Sequence, residues 1–159
     1  MLNTPVNREI FGLTPVDLID FKLKVAEVKS TDIVVDLGCG DAMSLIRANQ
    51  QYGAKGIGLE ILPEALALAY DKIKESELTN EILIIEEDMM DFDFSKGDVF
   101  ILYLNRGVLG TLSMKLENEL KPGARIVTHD FDLPGWQAKK AFSFQMRNGT
   151  STEVFLYER

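Results

Sequence analysis

Thiol and imidazole are scarce in this chain, whose 159 residues include one cysteine, Cys39, and one histidine, His129. A single thiol excludes an internal disulfide and any zinc centre built from several thiolates. That cysteine usage fits a reducing compartment, and a cytoplasmic location is expected. No apolar run approaches the ~18 residues of a membrane span, and the start, MLNTPVNREIFG, lacks the basic residues and unbroken apolar stretch of a signal peptide. Basic residues are outnumbered 17 to 25, a formal charge of −8. A protein that holds nucleic acid by neutralising phosphates needs a basic face, so basic partners are expected here and nucleic acid is not. No repeat, low-complexity tract or Gly/Ser linker marks a boundary, which gives one domain over 1–159. What the chain does have is apolar content, 46% hydrophobic and 9% aromatic, enough for a substantial core.

Hydrophobic periodicity divides the chain into alternating helix-like and strand-like segments. Residues 16–28 carry Val16, Leu18, Ile19, Leu23, Val25, Ala26 and Val28 along a helical stripe that begins after Pro15. Residues 32–37, DIVVDL, are the short β-branched run of a strand buried on both faces of a parallel sheet. The same reading predicts a helix over 42–52, a strand over 55–60, a helix from Pro63 through EALALAYDKIKESE, and strands over 81–86 and 98–104. A helix over 108–120 stops at Lys121-Pro122-Gly123, and 124–130 is the fifth strand. The last segments, 139–146 and 152–157, alternate like strands around Asn148-Gly149, a pair favoured by tight hairpins. Five β-α units followed by a hairpin give a three-layer α/β sandwich whose mostly parallel sheet ends in an antiparallel pair.

The chemical signal lies after the first strand, in VVDLGCGDA at 34–42. Gly38 and Gly40 stand where a buried strand turns into a helix, and glycine there allows positive φ and close approach of a ligand. Glu60, at the end of the second strand, is placed to accept both hydroxyls of a ribose. A dinucleotide fingerprint would need a third glycine where Met43 stands, and Asp41 would set a negative charge beside the pyrophosphate. Asp36 adds a carboxylate that suits a cationic ligand, so the pattern fits S-adenosylmethionine, which has a sulfonium, an amino group and no phosphate, better than a nicotinamide dinucleotide. After the third strand comes EEDMMDFD, in which Asp88 is placed to accept from the adenine amine and the Met89 backbone N–H to read a ring nitrogen. Glu86, Glu87, Asp91 and Asp93 read as a solvated acidic loop.

With these residues in place the chain resembles a class I S-adenosylmethionine-dependent methyltransferase over about residues 10–159. It is most similar to the small archaeal protein-lysine methyltransferases and their relatives that modify the ATP synthase c subunit. Thr14-Pro15, VVDLGCGDA at 34–42, GIGLEI at 56–61, ILYL at 101–104 and KLENELKPGARIVTHDFDLPGW at 115–136 carry the resemblance, the last block most specifically. It implies a Rossmann-like sheet of seven strands in the order 3-2-1-4-5-7-6 with strand 7 antiparallel, preceded by an N-terminal segment and helix over 1–30. It also implies S-adenosylmethionine as cofactor, held by Thr14, Asp36, Gly38, Gly40, Glu60 and Asp88, and a lysine-containing protein as substrate. Ala42 departs from the pattern's glycine, Phe11-Gly12-Leu13 from its aromatic-Val-Pro, and Leu109 from an asparagine expected near the substrate entrance.

Methyl transfer from a sulfonium is an in-line displacement, so holding donor and acceptor in alignment supplies most of the catalysis. Tyr103 and Asn105, at the end of the fourth strand, are the candidate catalytic residues that line a channel for the acceptor. Tyr103 reads equally as an aromatic cap on the sheet, and Asn105 as a cap of the local turn. The Asn/Asp-Pro-Pro-aromatic motif of nucleic-acid amino methyltransferases is missing, since Leu104-Asn105-Arg106-Gly107 stands there. His129, Asp130 and Asp132 imitate a metal cluster, but a histidine on a buried strand reads better as a hydrogen-bonded core residue, and no metal is expected. Cys39 is expected to pack behind the turn, and Trp136 either to shape the acceptor groove or to close the core. A small-molecule methyltransferase and a non-catalytic cofactor-binding module stay open as alternatives. The cofactor-binding sheet uses nearly all of the 159 residues. A broad range of acceptors is therefore expected, with the acidic loop drawing lysine-rich segments towards the site in a salt-sensitive way.

Overall fold

The β-branched run Val34-Val35 needs partners on both edges and both faces, and in the computed structural model, which describes residues 13–159, it has them. The elements follow in the order α1 (Val16–Val25), β1 (Ile33–Leu37), α2 (Met43–Tyr52), β2 (Lys55–Leu59), α3 (Pro63–Glu75), β3 (Ile82–Ile85), β4 (Val99–Leu102), α4 (Arg106–Glu119), β5 (Arg125–His129), β6 (Lys140–Gln145) and β7 (Ser151–Glu158). The sheet order is β3-β2-β1-β4-β5-β7-β6, parallel through β5, with β7 antiparallel to both neighbours. This is the expected topology. Phe11 and Gly12, part of the expected departure from the family pattern, lie outside the described residues.

Most element ends move by one or two residues from the periodicity reading, and the shifts in α1 and α4 have a local reason. α1 stops at Val25 because Glu27 turns left-handed (φ 51°) and the Val28 N–H donates back to the Leu23 carbonyl. α4 starts at Arg106, earlier than expected, because the Asn105 side chain accepts from the Val108 N–H at 3.0 Å and caps the helix.

Strand alternation sorts the core into two halves. Val34, Ile101 and Val127 face α1, α2 and α3, joining Leu18, Ile19, Leu23, Leu45, Ile46 and Ile73. Val35, Leu37, Phe100, Leu102 and Ile126 face the other way, against α4 and the segment carrying Phe92 and Phe94. Burying Leu18, Ile19 and Leu23 alone contributes roughly 5–9 kcal/mol of transfer free energy, which docks α1 firmly across the sheet. Asp36 lies in register with Ile101, and Ile101 with Val127, so Asp36, Tyr103 and His129 project towards the α1 side at the carboxyl ends of their strands. Among the described residues no helix is long and apolar enough to cross a membrane.

Candidate active site

The turn after β1 takes positive φ at alternate residues, Gly38 (74°), Gly40 (56°) and Ala42 (62°). The N–H groups of Gly38 and Cys39 both donate to the Leu59 carbonyl, at 2.8 and 2.9 Å, which pins the turn to the end of β2. A Cβ on Gly38 would make ordinary contacts, 3.7 Å from Leu104 and 4.0 Å from Met89, so it is the positive φ that calls for glycine here. Ala42, where the pattern has glycine, takes the left-handed conformation with its methyl fully buried. Cys39 packs behind the turn as expected, and burial pushes its thiol far up. Asp41 is also buried and pairs with Lys72 at 2.9 Å, so α3 neutralises the charge that the sequence reading weighed against a phosphate.

Glu60 is 8% exposed and serves as a clamp. Its Oε1 accepts from the Gly40 N–H (3.0 Å) and its Oε2 from Ile61 (2.9 Å) and Leu62 (3.3 Å). Beside it a cleft of about 290 Å³ is lined by Gly38, Glu60, Ile61, Asp88, Met89 and Val108 among others. Apolar walls with a carboxylate at one end suit a nucleoside. Asp88 reaches this cleft, and its Oδ1 already accepts from the Met90 N–H (2.9 Å), capping the 3-10 turn Met89–Asp91. The other acids of this loop are exposed, as expected, with Glu86 accepting from Tyr70 and Asp93 from Ser95.

Beyond Gly38 the cleft meets a second, smaller cavity lined by Thr14, Lys22, Asp36, Gly40, Ser44 and Tyr103. Its floor is charged. Lys22 on α1 is 1% exposed, and its Nζ donates to the Leu102 carbonyl (2.8 Å) and lies 2.9 Å from His129 Nδ1. Burial pushes Lys22 down to about 7 and Asp36 up to about 8, each opposed by the charge of the other. Burial and the Lys22 cation hold His129 neutral, down at about 2, so its Nδ1 accepts from the ammonium. The sequence reading missed Lys22. The available signal was position, since Lys22 shares the helical stripe with Ile19, Leu23 and Ala26.

The candidate catalytic pair divides. Tyr103, 42% exposed, stacks on His129 (centroids 4.0 Å apart, planes at 10°), with the Asp130 carboxylate acting on its hydroxyl. Burial and the Asp130 charge push its hydroxyl up, so it stays protonated. Asp130 itself holds φ 64° and accepts from the Thr152 hydroxyl. Asn105 is the local cap described above, its carbonyl oxygen spent on α4. Leu109, where the pattern has asparagine, is 1% exposed and packs in the α4-side core, next in sequence to Val108 on the cleft wall. His129 is the expected core histidine, and among the described residues no cluster could hold a metal ion. Trp136 closes the core, donating to the Ser113 carbonyl (3.2 Å) and meeting Tyr157 edge-on.

A seven-stranded sheet of this order, with a glycine turn, a clamped acid at the end of β2 and a nucleoside-sized cleft between them, defines an S-adenosylmethionine-dependent methyltransferase. More narrowly, the chain belongs to the family of the ANTKMT methyltransferase domain, whose pattern matches residues 36–140. It is 35% identical to a protein-lysine N-methyltransferase of Saccharolobus islandicus, over 91% of this chain and 89% of the relative. The adenine nucleotide translocase lysine N-methyltransferase of Mus musculus is 30% identical over 65% of this chain, which spans 45% of that longer protein. Among solved structures, an RNA methyltransferase from Salinibacter ruber in complex with S-adenosyl-L-homocysteine superposes with a TM-score of 0.85 at 32% identity, covering 91% of this chain and 92% of that one.

Proposed function

We propose that this methyltransferase acts on lysine side chains of proteins. The observation that carries the reading is the 35% identity to a protein-lysine N-methyltransferase along nearly the whole of both chains. The nucleoside of the donor belongs in the cleft between Gly38, Glu60, Asp88 and Met89, and its amino-acid end in the cavity between Thr14, Gly40 and Asp36. The donor supplies an electrophilic methyl on a sulfonium. Tyr103 stands at the boundary, since it lines both this cavity and an outer pocket shared with Asp130, Met146 and Thr150, where the acceptor belongs. The acceptor amine enters unprotonated, and its lone pair displaces the thioether in line. The methylated ammonium then gives its proton to solvent. Tyr103 and Asp130 contribute by holding the amine, because alignment supplies most of the acceleration. His129 stays neutral and buried under the tyrosine ring and is no base. Single, buried Cys39 supports the cytoplasmic setting.

A second reading, RNA as acceptor, rests on the Salinibacter ruber neighbour. The −8 charge favours a basic protein. One experiment separates them: incubate the protein with methyl-labelled donor and either a lysine-rich protein mixture or total RNA, then hydrolyse. Label in methyl-lysines supports the proposal, whereas label confined to nucleosides or small molecules overturns it.

A further inference from the structure

Lys22 is costly where it stands. It sits on the apolar face of α1 between Ile19 and Leu23, both essentially inaccessible, and a leucine or methionine would fill that position without desolvating a charge. Two of its three N–H donors are used, on the Leu102 carbonyl and His129 Nδ1. Neither partner is an anion, and no salt bridge to Lys22 forms among the described residues. Its long stem runs under the sheet end and delivers the ammonium to the wall of the small cavity, across which Asp36 faces it with Ser44, Gly38 and Gly40 around them. The cavity therefore sets a buried amino group opposite a buried carboxyl, and each takes up its charge when a ligand brings the opposite charge against it. Its complement is a zwitterion, and the methyl donor ends in one: an α-ammonium and an α-carboxylate on a single carbon.

We propose that Lys22 holds the α-carboxylate of the methyl donor while Asp36 takes its α-ammonium. Lys22 is then a cofactor-positioning residue that fixes the methionyl end from below, so that the sulfonium is presented at the boundary marked by Tyr103. The role of the His129 ring follows. A neutral acceptor fixes the ammonium at the ring edge without competing for its charge, and Tyr103 lies flat on a face of that ring.

The test uses binding without any acceptor, so its outcome is independent of whether lysine is the substrate. Wild-type protein and Lys22→Met are titrated calorimetrically at pH 7 with three compounds: S-adenosylhomocysteine, its decarboxylated analogue, and 5′-methylthioadenosine, which lacks the amino-acid end. A charge-assisted contact predicts that Lys22→Met weakens S-adenosylhomocysteine by about 10- to 100-fold and leaves the other two within threefold. An equal loss on all three compounds would show that Lys22 only props up the fold, and an unchanged affinity for S-adenosylhomocysteine would also overturn the proposal. Should the variant fail to fold, wild type decides alone. It must prefer S-adenosylhomocysteine to the decarboxylated analogue by at least tenfold, and equal affinities refute a carboxylate site. Absence of binding by wild type to all three overturns this inference and the cofactor assignment together.

Discussion

Replacing Glu60 by glutamine keeps size and shape but converts one of two acceptor oxygens into a donor. In the native turn those oxygens take three backbone N–H groups, from Gly40, Ile61 and Leu62. In Glu60→Gln one side of the clamp meets an N–H with another N–H, and the ribose hydroxyls lose a charged acceptor. A hydrogen bond to a charged group is worth about 1.5–3 kcal/mol, so the dissociation constant of S-adenosylhomocysteine should rise roughly 10- to 150-fold. The unsatisfied backbone donor costs about 1–3 kcal/mol of stability, a fall in Tm of roughly 2–10 °C for a chain of this size. Calorimetry and thermal unfolding read the two effects separately. 5′-Methylthioadenosine and its 2′,3′-dideoxy form sharpen the assay: wild type should prefer the hydroxylated compound strongly, and the variant hardly at all. Binding of S-adenosylhomocysteine within threefold of wild type, with the ribose preference intact, would refute the role given to Glu60.

Three further outcomes follow from the geometry. A Cβ on Gly58 would lie 2.7 Å from Cys39 Sγ and 2.9 Å from both Ile84 and Leu45 side chains, so Gly58→Ala should cost about 1–3 kcal/mol by urea unfolding, and an unchanged midpoint would contradict the packing. His129, folded at about 2 against 6.5 unfolded, leaves the unfolded state alone to take a proton between pH 7 and pH 5, an acid loss of about 2 kcal/mol. Over that interval Asp36, raised to about 8, pulls the other way, while Lys22, lowered to about 7, adds a smaller acid loss, so the readout is the difference between proteins. His129→Asn should lose about 2 kcal/mol less than wild type on acidification, and equal losses would sink the reasoning. Finally, Cys39 is buried with its thiol pushed up, so native protein at pH 8 should resist a disulfide-exchange reagent that labels one thiol per chain in urea; stoichiometric native labelling would disprove it.

The strand order, the glycine turn and the acid at its partner strand were legible because each leaves a local mark: a β-branched run, a pair of glycines, a carboxylate at a set distance. The floor of the site was not. Lys22 looks like a solvent-facing charge when polarity alone is read, because its apolar stem lets it lie along a buried face. Its partner His129 stands 107 residues away, a contact that no local pattern encodes. Leu109, legible in sequence only as a departure from a polar residue of the family, is 1% exposed because it lies on the apolar face of α4. Asn105 was ambiguous in sequence because capping and catalysis ask for the same side chain at the same place, and the 3.0 Å bond to Val108 shows the cap.

The sheet divides the core in two, and the site straddles that division: the nucleoside cleft leans on α4, and the charged cavity on α1. On the proposed placement of the donor, its two halves are underwritten by different hydrophobic clusters. Loosening of α1 would release the amino-acid end while the nucleoside stayed held, which gives product a stepwise way out. It also makes the halves separable in evolution, since changes in α1 can retune the grip on the charged end while the adenosine cleft is inherited unchanged.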